Sequence, residues 1–437
     1  MSIRYVSFHR LGGLKALGRP HSAESSRHAP WLNDDGGSPS RIRTVRIDPE
    51  RLAQVLGATT KTNQLGEYLS IRCWCAQPPR YSPDLRALKL LMPEAPEVIA
   101  DPEQWLFLDT ETTGLAGGSG TYAFLVGIAW WEGGGLEMEQ FFLREYSEER
   151  SLLFALRERI AEHPVVVTFN GKSFDWPLLE TRYRMSRKIA VPTPRAHIDF
   201  LHPARNLWRL RLGSVRLSEL ERHVLEWDRG ADLLSGIIPQ IYFDYLRGGP
   251  PEPLVAVLNH NQMDLRGLAA LSSRILSLLS DAESLGQDGL ELFGVSRICE
   301  KRGEHARARN LYEKSIASIL PTETDRAARR SLARLAKRQG DFALACELWT
   351  NATGNSRHGY DAYEQLAIYY EHKARDPERA RQIARQALDE LRRAIQTGDI
   401  APGPYREIKA RFDRRMRRLE RKGKRPLLDG LAIQSQA

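Results

Sequence analysis

The sequence predicts an α/β domain, built on a mixed sheet with helices on its faces, followed by an all-α domain of helical repeats. Three strand-like segments in a row, and then alternating helices and strands, predict the first domain at residues 101–280. Only helical patterns follow at residues 285–425, and a short motif recurs within them. A length of 437 residues also favours more than one domain.

Two segments precede the α/β domain. Residues 1–45 are rich in Gly, Ser, Pro and His, which predicts a disordered N-terminal arm. Residues 46–100 combine a short helical pattern, a strand-like stretch at 68–74 and several prolines. We interpret them as an N-terminal extension of the domain that follows.

A regular succession of apolar runs and turns predicts the elements of the α/β domain. Strands are expected at 105–109, 122–131, 136–144, 165–169 and 197–201. The second is apolar along its length, which is typical of a central strand. Helices are expected at 148–162, from 173 onward, and at 217–225, 238–246 and 252–279.

The C-terminal helices carry a weak internal repeat. Residues 303–308 are echoed 37 residues later at 340–345, and a third copy follows after another 35 residues at 375–380. Tyr312 and Trp349 stand four residues after the last alanine of their copies. This pattern resembles the tetratricopeptide repeat, in which small residues let paired helices approach closely. An ordinary helical bundle is the alternative interpretation.

Composition and charge limit the classes of function. The net charge is +9, and eleven Lys and Arg against three Asp and Glu lie between residues 405 and 426, which indicates a polyanion such as nucleic acid as partner. The longest apolar run is much shorter than the roughly 18 residues of a membrane span. Four cysteines are too few for a disulfide framework. We therefore expect a cytoplasmic protein with no membrane partner.

Two carboxylates stand at the end of the first strand of the α/β domain. Asp109 and Glu111 are two residues apart, so a strand turns them to the same side and turns Thr110 to the other. Like charges held side by side are costly unless a cation or a proton lies between them. A polar strand end that runs into a turn is the alternative.

Two later segments supply further acids. Asp175 falls in the first turn of a helix, where the helix dipole also favours an acid. Asp264 follows His260 by four residues in a helical stretch, so the two share a face, as ordinary surface pairs do. Convergence of all four carboxylates would require cations, and oxygen ligands select Mg²⁺ or Mn²⁺. Two such ions can promote phosphodiester hydrolysis, with His260 placed to accept a proton from water.

The three segments together resemble the three exonuclease motifs of the DEDD superfamily of 3′–5′ exonucleases, which has a ribonuclease-H-like fold. Within it, the chain is most similar to the YprB-like ribonuclease-H-like domain proteins, over about residues 100–280. The resemblance implies metal-dependent removal of nucleotides from 3′ ends. It also implies the ligands of the two ions: Asp109, Glu111, Asp175 and Asp264.

The third motif departs from the pattern of the superfamily, which is Tyr-x-x-x-Asp or His-x-x-x-x-Asp. Here His260 stands at the spacing that usually belongs to Tyr. One residue fewer rotates a helical side chain by about 100°. Whether His260 is the general base therefore stays open, with His197 and His202 as alternatives. Asp199, at the end of the fifth strand, is expected beside the site.

Substrate contacts are predicted mainly around the second motif. Gly171 lets the backbone approach the substrate, Lys172 suits a phosphate, and Phe174 suits stacking on a base. A single-strand groove, with a solvated basic helix as the alternative, is also predicted by a basic segment that contains an aromatic residue: Arg205, Trp208, Arg209 and Arg211. The full set of predicted substrate contacts is Thr110, Asn170, Gly171, Lys172 and Phe174.

The predicted function is that of a metal-dependent 3′–5′ exonuclease on single-stranded nucleic acid, with helical repeats that recruit either a protein partner or the substrate. The choice between DNA and RNA stays open because no motif indicates a 2′-hydroxyl contact. Two alternatives remain: a catalytically silent nucleic-acid-binding module of the same fold, and a tetratricopeptide interaction scaffold.

Overall fold

The computed structural model describes most of the chain from residue 48 onward. The described ranges are 48–76, 84–114, 120–187, 189–230, 232–285, 288–353 and 359–423. The predicted N-terminal arm, residues 1–45, lies outside them, and its disorder therefore stays a prediction.

Seven strands form one mixed sheet. Numbered along the chain, they are β1 (Thr59–Asn63), β2 (Gly66–Ala76), β3 (Trp105–Thr112), β4 (Ala123–Glu132), β5 (Gly135–Phe142), β6 (Val165–Thr168) and β7 (Ala196–Asp199). Their spatial order is β1-β2-β5-β4-β3-β6-β7. Strand β3 is antiparallel to β4 and parallel to β6, and β6 is parallel to β7. The predicted mixed sheet is confirmed.

The first two strands come from the segment that the sequence assigned to an N-terminal extension. Strand β2 pairs with β5 from Leu69 to Ala76, so the β1–β2 hairpin enlarges the sheet. The sequence indicated a strand only at 68–74. Strand β1 (Thr-Thr-Lys-Thr-Asn) contains no apolar side chain, and hydrophobic alternation therefore could not reveal it.

Eight helices accompany the sheet in the described part of the chain. They are α1 (Pro49–Leu56), α2 (Leu85–Leu91), α3 (Glu149–Glu162), α4 (Asp175–Met185), α5 (Leu201–Leu212), α6 (Leu217–Val224), α7 (Ile238–Leu246) and α8 (Pro253–Leu285). Short 3₁₀ turns lie at Glu97–Ala100, Pro102–Gln104, Tyr146–Glu148 and Ser235–Ile237. None of the described helices is long and apolar enough to cross a membrane.

The sheet has a hydrophobic core on each face. Along β3, Phe107 belongs to one core, whereas Leu106 and Leu108 belong to the other, as the two-residue period of a strand requires. The long helix α8 lies against β3, β4 and β5. This arrangement places α8 over the end of β3, where the apolar run gives way to acids.

The C-terminal region is entirely helical in the part that the structure describes. Its helices are α9 (Gly289–Lys301), α10 (His305–Ile316), α11 (Thr322–Gln339), α12 (Phe342–Thr353), α13 (Gly359–His372), α14 (Pro377–Gln396) and α15 (Pro402–Gly423). Each repeat copy lies at the turn between two helices, and its last alanine, Ala308, Ala345 or Ala380, is fully buried. The all-helical region is confirmed, whereas its tetratricopeptide class stays a prediction.

Helix α5 joins the sheet domain to the repeats. Trp208 is fully buried, and its indole N–H donates to the Glu291 carboxylate at 2.7 Å. Arg211 forms ion pairs with Glu291 and Asp288, both at 3.2 Å. The prediction that this basic segment forms a single-strand groove is therefore wrong for these two side chains, because they bind the helical region instead.

A glycine in α9 allows the close packing of α9 on α5. A Cβ atom at Gly294 would lie 2.5 Å from the Asn206 carbonyl oxygen and 2.9 Å from the Leu207 Cα. We expect Gly294→Ala to lower the free energy of unfolding by about 2 kcal/mol, because backbone must move to admit the methyl group. Gly403→Ala, where a Cβ meets open space, is the control. Equal denaturation midpoints for both variants would contradict this account.

Candidate metal centre

Strand β3 brings Asp109 and Glu111 to the centre of the sheet, between β4 and β6. Its apolar first half is fully buried, and its acidic second half is partly buried. The pairing of β3 with β4 shifts register between Glu111 and Thr112. Both carboxylates approach side chains of α8, since Asp109 bonds Asn261 and Glu111 lies near His260. The predicted shared orientation of these two acids is found in the structure.

Asp175 reaches the same place from the neighbouring parallel strand. Strand β6 ends at Thr168, and α4 then begins at Asp175 itself. The Thr110 hydroxyl donates to Asp175 Oδ1 at 2.5 Å. The bond agrees with the expected alternation along β3, because Asp109 and Glu111 approach α8, whereas Thr110 bonds Asp175 at the start of α4.

Helix α8 contributes His260 and Asp264 from one face. The His260 Nε2 atom lies 3.4 Å from Asp264 Oδ2 and 3.9 Å from Glu111 Oε1. On its other side, His260 Nδ1 is 2.7 Å from Asp232 Oδ1. Within the described residues, Glu111, His260 and Asp264 form a group whose ligand atoms are close enough together to hold one metal ion.

Burial and neighbouring charges raise the pKa values of three carboxylates of this cluster. Burial and the charges of Asp264, Asp175 and Glu111 hold the pKa of Asp109 well above its usual value. Burial, with Asp264 and Asp175, raises the pKa of Glu111 to about 8. Burial also raises the pKa of Asp175, although the bond from Thr110 opposes the shift. Such a cluster needs protons or cations, and its oxygen-rich donor set fits divalent metal ions.

A polar network that the sequence did not reveal holds Asp109. Asn261 donates to Asp109 Oδ2 at 2.8 Å, and its own carbonyl accepts from Gln140 at 2.8 Å. Asn261 lies over Gly127, which faces Asp109 on β4, and a Cβ atom on Gly127 would collide with the Asn261 amide. An isolated glycine in an apolar strand often marks such a close approach of another group. Gly127 was therefore the one signal of this contact in the sequence.

A partly buried arginine lies beside the cluster. Arg229, in the loop between α6 and α7, forms ion pairs with Glu221, with Asp232 at 3.0 Å and with Asp264 at 2.5 Å. Burial raises the pKa of Asp232, but the bonds from His260 and Arg229 outweigh it and leave that pKa below its usual value. Neither Arg229 nor Asp232 was identified in the sequence, because irregular loops carry no periodic signal.

Asp199 supports the loop after β6 rather than joining the four acids. Its carboxylate accepts from the backbone N–H groups of Asn170 at 2.9 Å and Lys172 at 3.1 Å. Asn170 adopts a positive φ of 71°. Gly171 lies against Thr168, where a Cβ atom would lie 2.5 Å from the Thr168 Cβ. Asp199 therefore fixes the loop that precedes Asp175.

The remaining predicted residues around this loop differ in whether their side chains are free to contact a substrate. The Phe174 ring is 60% exposed, so it can meet a ligand. His197 is engaged with the Thr168 hydroxyl at 2.9 Å. Burial and the nearby Lys172 lower the pKa of His197 to about 4, against a smaller opposing effect of Asp199.

A cleft of about 1080 Å³ adjoins this loop. Lys172, His197 and Asp199 line it on the side of the sheet domain, and Arg297 and Lys301 line it on the side of the helical region. The cleft therefore offers a space with cationic side chains next to the second motif.

Divalent metal should change the pH dependence of stability. The Glu111 pKa is about 8 in the folded chain, against 4.5 usually, so the folded chain keeps a proton that the unfolded chain releases between these values. The free energy of unfolding of the metal-free protein should therefore fall as pH rises through this window. We expect Mn²⁺ to raise the Tm more near pH 8 than near pH 5.5, and Glu111→Gln to weaken this difference. Equal increases at both pH values would contradict the expectation.

Comparison with known proteins identifies the domain that holds the cluster. A family model described as the RNase H superfamily matches residues 106–276, a range that contains all four carboxylates. Over 287 residues the chain is 31% identical to the uncharacterized protein YprB of Bacillus subtilis (strain 168). The aligned region covers 65% of this chain and 69% of that protein. Among solved structures, the chain is similar to the family B DNA polymerase of the hyperthermophilic archaeon Pyrobaculum calidifontis, with 15% sequence identity and a TM-score of 0.34. The superposed region covers 47% of this chain and 29% of the polymerase chain.

Proposed function

The chain belongs to the YprB family of proteins with an RNase H-superfamily domain, and from this premise we propose that it is a metal-dependent 3′–5′ exonuclease of single-stranded nucleic acid. The superfamily domain itself supports a nuclease-like role in nucleic-acid processing. One observation carries the finer proposal. Four carboxylates from β3, α4 and α8 lie close together, and the charges of the other three raise the pKa of Asp109.

The proposed ligands of two Mg²⁺ or Mn²⁺ ions are Asp109, Glu111, Asp175 and Asp264. The chemistry that two bound ions supply in such a site is activation of water and stabilisation of the leaving oxygen. Asn261 and Thr110 keep the carboxylates of Asp109 and Asp175 in fixed orientations through their hydrogen bonds. Asp232 fixes the His260 ring so that Nε2 faces the cluster.

The substrate side of the proposal depends on the loop after β6 and on the adjoining cleft. The proposed contacts are Lys172, which lines this cleft and suits a phosphate, and Phe174, whose exposed ring suits stacking on a base. These contacts favour an unpaired strand, because a base in a duplex already stacks on its neighbours. They do not distinguish DNA from RNA, so both belong in the test.

The polarity of degradation tests this proposal. Single-stranded DNA and RNA labelled at the 5′ end should give a ladder that shortens progressively in Mn²⁺. The same strands labelled at the 3′ end should release labelled mononucleotide from the start, and a circular single strand should resist. Internal cuts in the circle, or release of the 5′ label first, would contradict a 3′–5′ exonuclease.

One observation favours the alternative of a catalytically silent binding module. Arg229 already takes one oxygen of Asp264, so a protein cation neutralises part of the cluster. A silent module would bind single strands in Mn²⁺ and leave them intact over long incubation. The same labelled strands, measured by both binding and product formation, separate the two functions.

A protein partner for the helical region is a separate proposal. It is supported by a groove of about 740 Å³ between α11, α12 and α13, with Trp349 in its wall and Arg329 and Arg330 among its lining residues. A partner that the full-length chain retains, and that an Arg329→Glu and Arg330→Glu double variant releases, would support this groove as the binding surface. Equal retention by both chains would contradict it.

A further inference from the structure

His260 is held rigidly with one ring nitrogen directed at the carboxylate cluster. Its side chain is only 7% exposed, and Nδ1 is 2.7 Å from Asp232 Oδ1. Arg229 anchors the other oxygen of Asp232 at 3.0 Å. A carboxylate partner of this kind places the ring proton on Nδ1 and leaves the Nε2 lone pair free for the cluster.

The distance from Nε2 to Asp264 matches that between two ligands of one ion, and the distance to Glu111 is about half an ångström longer. Ligand atoms at about 2.1 Å from a metal are roughly 3 Å apart at octahedral angles and about 3.4 Å apart at tetrahedral angles. Nε2 lies 3.4 Å from Asp264 Oδ2 and 3.9 Å from Glu111 Oε1. Nε2 therefore lies directly beside the two carboxylate oxygens. A group that takes a proton from a metal-bound water would lie one water molecule further away.

The spacing along α8 leads to the same conclusion. His260 and Asp264 are one helical turn apart, and two ligands at this spacing on a helix chelate a single metal ion in other proteins. A spacing longer by one residue would turn the imidazole about 100° away from Asp264. The shortened third motif thus turns the histidine toward the ion that Asp264 would bind.

We propose that Nε2 of His260 is a direct ligand of one of the two metal ions, with Asp232 as its positioning carboxylate. This inference rests on the proposed metal-dependent function and deepens it. An imidazole ligand binds Mn²⁺ in preference to Mg²⁺, whereas carboxylates alone discriminate less between them. The site therefore prefers Mn²⁺ to Mg²⁺ by a larger factor than a purely carboxylate site does.

Pulsed electron paramagnetic resonance of the Mn²⁺-loaded, full-length protein tests the proposal directly. Protein labelled with [¹⁵N]histidine should show a ¹⁵N coupling of directly bound imidazole, and His260→Asn should abolish it. His223→Asn is the matched control, because exposed His223 has the same spacing to Glu219, with Nε2 at 3.4 Å from its carboxylate. Bound Mn²⁺ without any histidine coupling in the unsubstituted protein would overturn the proposal.

Asp232→Asn tests the positioning role. We expect Mn²⁺ affinity to fall about tenfold, with a smaller fall for Mg²⁺, since loss of an outer partner of a metal-bound histidine typically costs 10- to 100-fold. Equal losses for both ions would overturn the assignment of Asp232. Cleavage assays on the same samples separate the two levels of inference. Mn²⁺ binding and cleavage without histidine coupling overturn only the ligand role, whereas absence of both Mn²⁺ binding and cleavage overturns the proposed function as well.

Discussion

Replacement of Asp109 by asparagine is expected to lower the rate of 3′-end hydrolysis by about a thousandfold, which corresponds to about 4 kcal/mol of transition-state stabilisation. Asp109 lies at the centre of the cluster and interacts with the charges of Asp264, Asp175 and Glu111. The amide keeps the shape of the side chain but removes a charged metal ligand. The measurement is the turnover of a 5′-labelled single strand in Mn²⁺, together with thermal unfolding of the same samples.

Thermal unfolding distinguishes a functional loss from a folding defect in this variant. Loss of one charge relieves the repulsion, so the metal-free Asp109→Asn protein should unfold at a temperature no lower than that of the unsubstituted chain. Asp244→Asn, at an exposed position on α7, is the control and should keep both activity and stability. Undiminished turnover by Asp109→Asn would show that the cluster is not the catalytic site.

Replacement of Arg229 by methionine should cause the largest loss of stability, about 3 kcal/mol. The Arg229 guanidinium is the shared ion-pair partner of three acids, Glu221, Asp232 and Asp264, and Glu221 is only 2% exposed. Removal of one partner from a buried ion-pair network leaves uncompensated charge in a poorly solvated place. Chemical denaturation in EDTA measures the effect without any contribution from bound metal.

The surface pair of Arg247 and Asp244 offers a matched comparison for this variant. Both of its side chains are more than half exposed, at 67% and 59%. Exposed ion pairs contribute little, so Arg247→Met should change the free energy of unfolding by less than about 0.5 kcal/mol. Similar denaturation midpoints for Arg229→Met and Arg247→Met would contradict the structural role assigned to Arg229.

Local periodicity predicted how the acids are oriented within β3 and α8, whereas their convergence from three elements was implied by the resemblance to the exonuclease motifs. Alternation along β3 turns Asp109 and Glu111 to one side, and the helical period of α8 turns His260 and Asp264 to one face. The groups that hold these side chains were not predictable in the same way. Arg229 lies in an irregular loop, and its ion pairs with α6 and α8 depend on the tertiary path of that loop.

The same limit explains the wrong interpretation of α5. An aromatic residue among arginines has the same sequence pattern whether it faces a nucleic acid or another part of the protein. Trp208 and Arg211 face Glu291, which lies about 80 residues further along the chain. Charge complementarity between residues so far apart in the chain leaves no pattern in the local sequence. The apolar runs of β3, β4 and β6, in contrast, indicated their strands directly.

Removal and return of the metal ion test the central claim most directly. The full-length protein is freed of metal with EDTA, and cleavage of a 5′-labelled single strand is followed before and after addition of Mn²⁺ or Ca²⁺. The four-carboxylate site predicts no cleavage without metal, a ladder that shortens from the 3′ end in Mn²⁺, and little or none in Ca²⁺. Equal cleavage in EDTA and in Mn²⁺, or intact strands that remain bound in Mn²⁺, would contradict it.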